Sequence, residues 1–240
     1  MAFEPFMQLI RGLQGKRSNV SLSNIQNTQQ MAYLRHLQKE MSEEDTLNIS
    51  LHELNVVVFD IETTGFSPDK GDCILSIGAT KMHGTTILED ETFYALIQYE
   101  KEVPKEIVQL TGITSEQVRD ARPLAEVLMA FFEFAKDATF VAHHANHERT
   151  FMQYASQKYL RTPFKHRIVD TSFLYKIVEP KIQLVTLEDL CKHNDIPIVD
   201  RHHALGDAKM TAELWSIYVE KVKQIGCDTL NDVYTRFAQI

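Results

Sequence analysis

Asn55-Val56-Val57-Val58-Phe59-Asp60-Ile61-Glu62-Thr63-Thr64-Gly65 is the stretch on which the reading of this chain turns. Val56 to Ile61 is a compact, β-branched run, suited to a central strand covered on both faces. Asp60 and Glu62 stand two apart, so the strand period puts both carboxylates on one face and Ile61 on the other. Two acids at the end of an apolar run repel each other and are costly to desolvate unless a cation intervenes. Alone, the pair also fits an ordinary strand end with two solvated acids. Thr63, Thr64 and Gly65 add hydroxyls and a permissive backbone position, which suits close approach to a phosphate.

Outward from this strand the pattern is mixed α/β. Cys73, Leu75, Ile77 and Ala79 alternate through a second strand, and a turn at His83–Gly84 leads to a third over 87–97. A helix is expected over 124–135, entered through Pro123. A short strand over 139–142 precedes a helix running to about Leu160, and 167–170 offers a fifth strand. Helices then continue to the end. A three-strand meander followed by α/β alternation predicts a mixed five-stranded sheet flanked by helices. The stripe Val127, Leu128, Phe131, Phe132 and Phe134 belongs to its core.

The first 50 residues read differently. Phe3, Phe6, Met7, Ile10 and Leu13 recur at helical spacing, and Met31, Leu34, Leu37 and Met41 repeat the pattern after a polar link over 16–30. This predicts a helical extension over 1–50 and a single larger domain over 51–240.

Composition narrows the class. No apolar run reaches membrane-spanning length, and the N-terminus lacks the features of a secretory signal. Cys73, Cys191 and Cys227 form no CxxC pair and read as reduced thiols of a cytoplasmic protein. The net charge of −8 argues against a protein that coats DNA through a general basic surface. It leaves room for a nucleic-acid enzyme, since a carboxylate site holding two divalent cations would bring the charge to about −4.

A second group of residues lies far along the chain. His202-His203-Ala204-Leu205-Gly206-Asp207 opens a helical stretch, with Asp207 near its first turn and His202 in the preceding loop. Asp207 also fits a simple first-turn acid that favours the helix dipole. His143, His144 and His147 with Glu148 raise the idea of zinc, but HExxH and HxxEH are both absent.

Together these residues carry a family resemblance. Asp60 to Gly65 resembles the first motif of the DnaQ-like 3′→5′ exonucleases, and His202 to Asp207 resembles their third, in the DEDDh spacing. Val141 to Glu148 resembles the second motif, with Glu148 where an Asp is usual. Leu110 to Thr114 and Val169-Asp170-Thr171 are softer matches. The resemblance implies a ribonuclease H-like fold and removal of nucleoside 5′-monophosphates from 3′ ends of single-stranded nucleic acid, DNA favoured. It implies two Mg²⁺ or Mn²⁺ ions held by Asp60, Glu62, Asp207 and Glu148, with His202 as general base. Thr63, Thr64, Gly65, Ile113 and His143 become candidates for substrate contact. Replication proofreading or repair would be the setting, and residues 1–45 either pack as additions to the domain or dock a DNA polymerase or other protein. An exoribonuclease of the same fold, a binding or scaffold protein with weakened catalysis, and a zinc hydrolase are the alternatives.

Overall fold

The computed structural model describes residues 46–239. The helices expected within residues 1–45 lie outside the described residues. The sheet has five strands in the order β3-β2-β1-β4-β5. They are β1 (Asn55–Thr63), β2 (Ile74–His83), β3 (Thr86–Leu96), β4 (Thr139–Ala142) and β5 (Ile168–Asp170). The meander β1-β2-β3 is antiparallel, whereas β4 and β5 run parallel to β1. β1 therefore has a neighbour on each side, which explains why Val56, Val57, Val58 and Phe59 are all buried.

Eight α-helices occur among the described residues: α1 (Lys105–Thr111), α2 (Ser115–Arg119), α3 (Leu124–Ala135), α4 (Asn146–Ala155), α5 (Ser172–Val178), α6 (Leu187–His193), α7 (Ala204–Gln224) and α8 (Leu230–Phe237). A π-helical turn, Ser156–Leu160, extends α4 without a break. Its wider turn accounts for the helical pattern expected up to Leu160.

The alternation along β1 sorts its side chains between two layers. Phe59 points to α3, where its ring lies 5.4 Å from Phe131 and 5.2 Å from Phe140. Val56 and Val58 point the other way, into a core with Leu214, Trp215 and Val219 of α7. Asp60 and Glu62 share the parity of Val56 and Val58, so they continue onto the α7 face. Burying a side chain the size of Trp215 or Leu214 contributes about 1.5–3 kcal/mol. These contacts hold α7 against β1 and β2. Leu47 and Ile49 also pack on this core.

Candidate metal centre and nuclease site

Asp60, Glu62 and Asp207 converge: each offers a carboxylate oxygen within 4.8 Å of the others. The convergence depends on a glycine. Gly78 pairs with Asp60 across the sheet, and a Cβ there would lie 2.1 Å from the backbone nitrogen of Leu205. The bare strand lets the first turn of α7 sit directly on β2, which brings Asp207 to Asp60 and Glu62. An isolated glycine inside a strand pattern is a signal of such close backbone approach.

Electrostatics show what the cluster lacks. Burial pushes the Glu62 carboxyl up to about 9, and repulsion from Asp60 and Asp207 adds to it. Burial, then Asp207, raises Asp60 well above the carboxylate range. Asp207 is raised by burial against the opposing charge of Arg201. Arg201 pairs with Asp207 through Nη1, and its charge favours ionisation of all three acids. Arg201 had not been singled out from the sequence, where it stands beside His202 as an unremarkable loop cation.

Glu148 lies outside this group of three. It sits in the first turn of α4, 3% exposed, and its Oε2 has no hydrogen-bond partner among the described residues. Burial raises its carboxyl well above the usual range, followed by the charge of Asp60. Asp170, at the end of β5, seats the turn before Glu148: its carboxylate accepts from the Ala145 N–H at 3.1 Å and the Ser172 N–H at 2.8 Å. Hard oxygen donors, crowded, desolvated and partly unpaired, fit a divalent cation such as Mg²⁺ or Mn²⁺.

His202 occupies the loop immediately before α7, with a left-handed φ of 64°. Its backbone N–H reaches Asp207 Oδ1 at 3.4 Å. The adjacent ring of His203 stacks on Tyr94 of β3 at 4.4 Å, a second tether for the loop. Burial and the Arg201 charge lower the His202 imidazole below its ordinary 6.5, leaving it a free base at neutral pH.

The substrate-contact candidates divide. Thr63 Oγ1 donates to the Gly65 carbonyl at 2.7 Å and lies 3.3 Å from His147 Nε2. Thr64 Oγ1 accepts from the Cys73 N–H at 3.0 Å. Gly65 is required by a side chain, in contrast to the expected phosphate: a Cβ there would meet the Asp72 carboxylate at 2.5 Å. Ile113 is 4% exposed in a small cluster with Leu75, Val103 and Val118. Both ring nitrogens of His143 have protein partners. Its Nε2 donates to the Val185 carbonyl at 3.0 Å and its Nδ1 faces Thr171 Oγ1 at 2.9 Å. Burial, reinforced by His144, lowers its imidazole to about 4. His144 donates to the same carbonyl at 2.6 Å, and His147 is flanked by Phe66 and Phe151. His143 and His144 thus share one carbonyl, while His147 packs between two rings. Phe66, which sequence reasoning missed, is 87% exposed directly after the Thr-Thr-Gly turn.

The model of the RNase T exonuclease family matches residues 57–215. Among curated relatives, the PolC-type DNA polymerase III of Caldanaerobacter subterraneus is 34% identical over 177 residues, covering 74% of this chain and 12% of the relative. That of Clostridium perfringens is 35% identical over 182 residues, with the same coverage. The chain thus spans about an eighth of the length of these relatives. Among solved structures, the nuclease domain of 3′hExo, a DEDDh family member bound to rAMP, superimposes with a TM-score of 0.62 at 19% identity, covering 75% of this chain and 96% of that one. Exonuclease X in complex with 5′ overhanging duplex DNA gives 0.58 at 17% identity, covering 76% and 99%. These likenesses carry the ribonuclease H-like fold. With the family model spanning both carboxylate motifs, the chain belongs to the DnaQ-like exonucleases, a family of metal-dependent 3′→5′ phosphodiester hydrolases.

Proposed function

We propose that this domain hydrolyses single-stranded nucleic acid from its 3′ end, DNA favoured, and releases nucleoside 5′-monophosphates. The observation that carries the reading is the meeting of Asp60, Glu62 and Asp207 on one face of the sheet. Two Mg²⁺ or Mn²⁺ ions, bound by these residues with support from Glu148, would stabilise the attacking and leaving oxygens of the displacement. His202 takes the proton from the attacking water, a role suited to a neutral, half-buried imidazole in the loop beside Asp207. The Thr63–Gly65 turn and Phe66 border the terminal nucleotide, with Phe66 offering an apolar face that any base can stack on. Ile113 and His143 are the further candidates for substrate contact.

The PolC-type relatives support a setting in replication proofreading or repair, in the cytoplasm, with a DNA polymerase as the partner to look for. No helix among the described residues is long and apolar enough to cross a membrane. The test is an assay on matched DNA and RNA strands, single and double, with Mg²⁺ or Mn²⁺ and with chelator. Metal-dependent 3′ shortening that releases 5′-monophosphates, fastest on single-stranded DNA, is expected. Faster hydrolysis of RNA would make the domain an exoribonuclease. A catalytically weakened end-binding protein is favoured by one feature, the exclusion of Glu148 from the tight carboxylate group. Strand binding without shortening at high protein concentration would establish that second reading.

A further inference from the structure

The chain carries −8 overall, yet the 21 residues from Arg149 to Val169 contain five Arg or Lys and no acid. Lys158, Arg161, Lys165 and Arg167 in this run are exposed. Its first part is α4 and the π-turn, the same helix whose first turn bears Glu148. His147, Phe151, Tyr154 and Lys158 recur at spacings of four, three and four, which places them along one face. That face begins at the site: His147 Nε2 lies 3.3 Å from Thr63 Oγ1, and the His147 ring is 4.8 Å from Phe151 and 5.7 Å from Phe66. It ends in an open cleft lined by Phe151, Tyr154, Lys158, Tyr159 and Cys73. Asp72 is the one acid of that lining, and its carboxylate is taken up by the Ser67 N–H and Thr64 Oγ1. Lys158 Nζ stands 5.2 Å from the centre of both the Tyr154 and Tyr159 rings and donates to Tyr154 Oη at 3.3 Å.

We propose that this face of α4 and its π-turn is a single-strand track that holds the nucleotides beyond the terminal one, with phosphates on Lys158 and Arg161 and a base against Tyr159. Phe151 is buried beneath this face, and Lys158 beside the 43% exposed ring of Tyr159 is the kind of cation–aromatic pair that retains single strands without reading their sequence. Its charge is complementary to a phosphate backbone, on a chain that carries −8 overall. The track rests on the nuclease reading for its orientation, because the Thr63 end abuts the terminal nucleotide.

The experiment compares the full chain with its Lys158→Gln/Tyr159→Ser variant, and with Lys223→Gln, an exposed lysine late in α7, as control. Fluorescence anisotropy in chelator, with DNA and RNA strands of about ten nucleotides, reads affinity within the usual site size. The double variant is expected to bind about tenfold more weakly, with the slope of log affinity on log salt reduced by about 0.7 for the lost phosphate contact. Its turnover of the p-nitrophenyl ester of thymidine 5′-monophosphate, which fills only the terminal site, should match the unaltered protein. Unchanged strand affinity, equal weakening by Lys223→Gln, or equal loss on the ester and the strand would each overturn the track. Absence of ester turnover by the unaltered protein would count against the nuclease reading, and anisotropy would still decide the track.

Discussion

A single methyl group at Gly78 probes how closely the carboxylate centre depends on the seating of α7. In Gly78→Ala the new Cβ would stand 2.1 Å from Leu205 N, 2.3 Å from Ala204 C and 2.5 Å from Leu205 Cα. All three are backbone atoms, so no rotamer change relieves them. Ordinary contact begins near 3.4 Å, which requires the first turn of α7 and β2 to separate by about 1.3 Å. Asp207 rides on that turn, while Asp60 and Glu62 stay with β1. Ligand atoms now within 4.8 Å would be drawn apart by a comparable distance. Overpacking of this kind costs about 1–3 kcal/mol of stability. Misplacement by about 1 Å costs on the order of 100-fold in rate. The assay is turnover of a labelled single strand, with Mn²⁺ affinity by calorimetry and a thermal melt of the same protein. The expected result is a folded variant with about 100-fold lower kcat and weakened metal binding. A variant with full turnover and unchanged Mn²⁺ affinity would show that the Gly78 contact does not set the centre.

His202→Ala should lower kcat by about 10²–10⁴ while Mn²⁺ affinity is kept, and full turnover would remove His202 from the base role. Because burial lowers the His202 pKa, activity should fall on the acid side only below the ordinary 6.5, as a pH–rate profile would show. Glu62 titrates near 9 folded against an ordinary 4.5, so the folded state holds that proton more tightly. Its contribution to stability is fully present below about pH 4.5 and is lost as pH rises toward about 9. The melting temperature of chelated protein should therefore decline across that range more steeply than with Mn²⁺ present; parallel curves would deny the cation its place at Glu62. Glu148→Gln should weaken Mn²⁺ binding by about 10–100-fold if that carboxylate supports the metals, and Glu148→Asp should retain binding; normal affinity in the Gln variant would remove Glu148 from the centre.

The strands, their order of appearance and the pairing of Asp60 with Glu62 on one face were legible in the sequence, because a period of two is a local property of the backbone. So was the helix bearing Asp207, and the spacing that made His202 its companion. Which neighbours those side chains would have was not local. Ile113 packs with Leu75 and Val103, and His143 meets the Val185 carbonyl and Thr171, contacts that no local pattern announces. Gly65 was legible as a close-approach position, but only the fold shows that Asp72 approaches it.

The sequence by itself determined the chemistry available to this protein: which acids it has, on which elements, and that Asp60, Glu62, Asp207 and Glu148 suit a hard cation. Tertiary structure decided their meeting. Asp207 is separated from Asp60 by most of the domain, and the two come together because Gly78 offers no side chain to hold α7 away. The same folding left Glu148 buried but apart from the group of three, and placed Arg201, a loop cation without any motif to mark it, against Asp207. Such placements follow from steric fit between distant backbone segments, for which no local pattern exists.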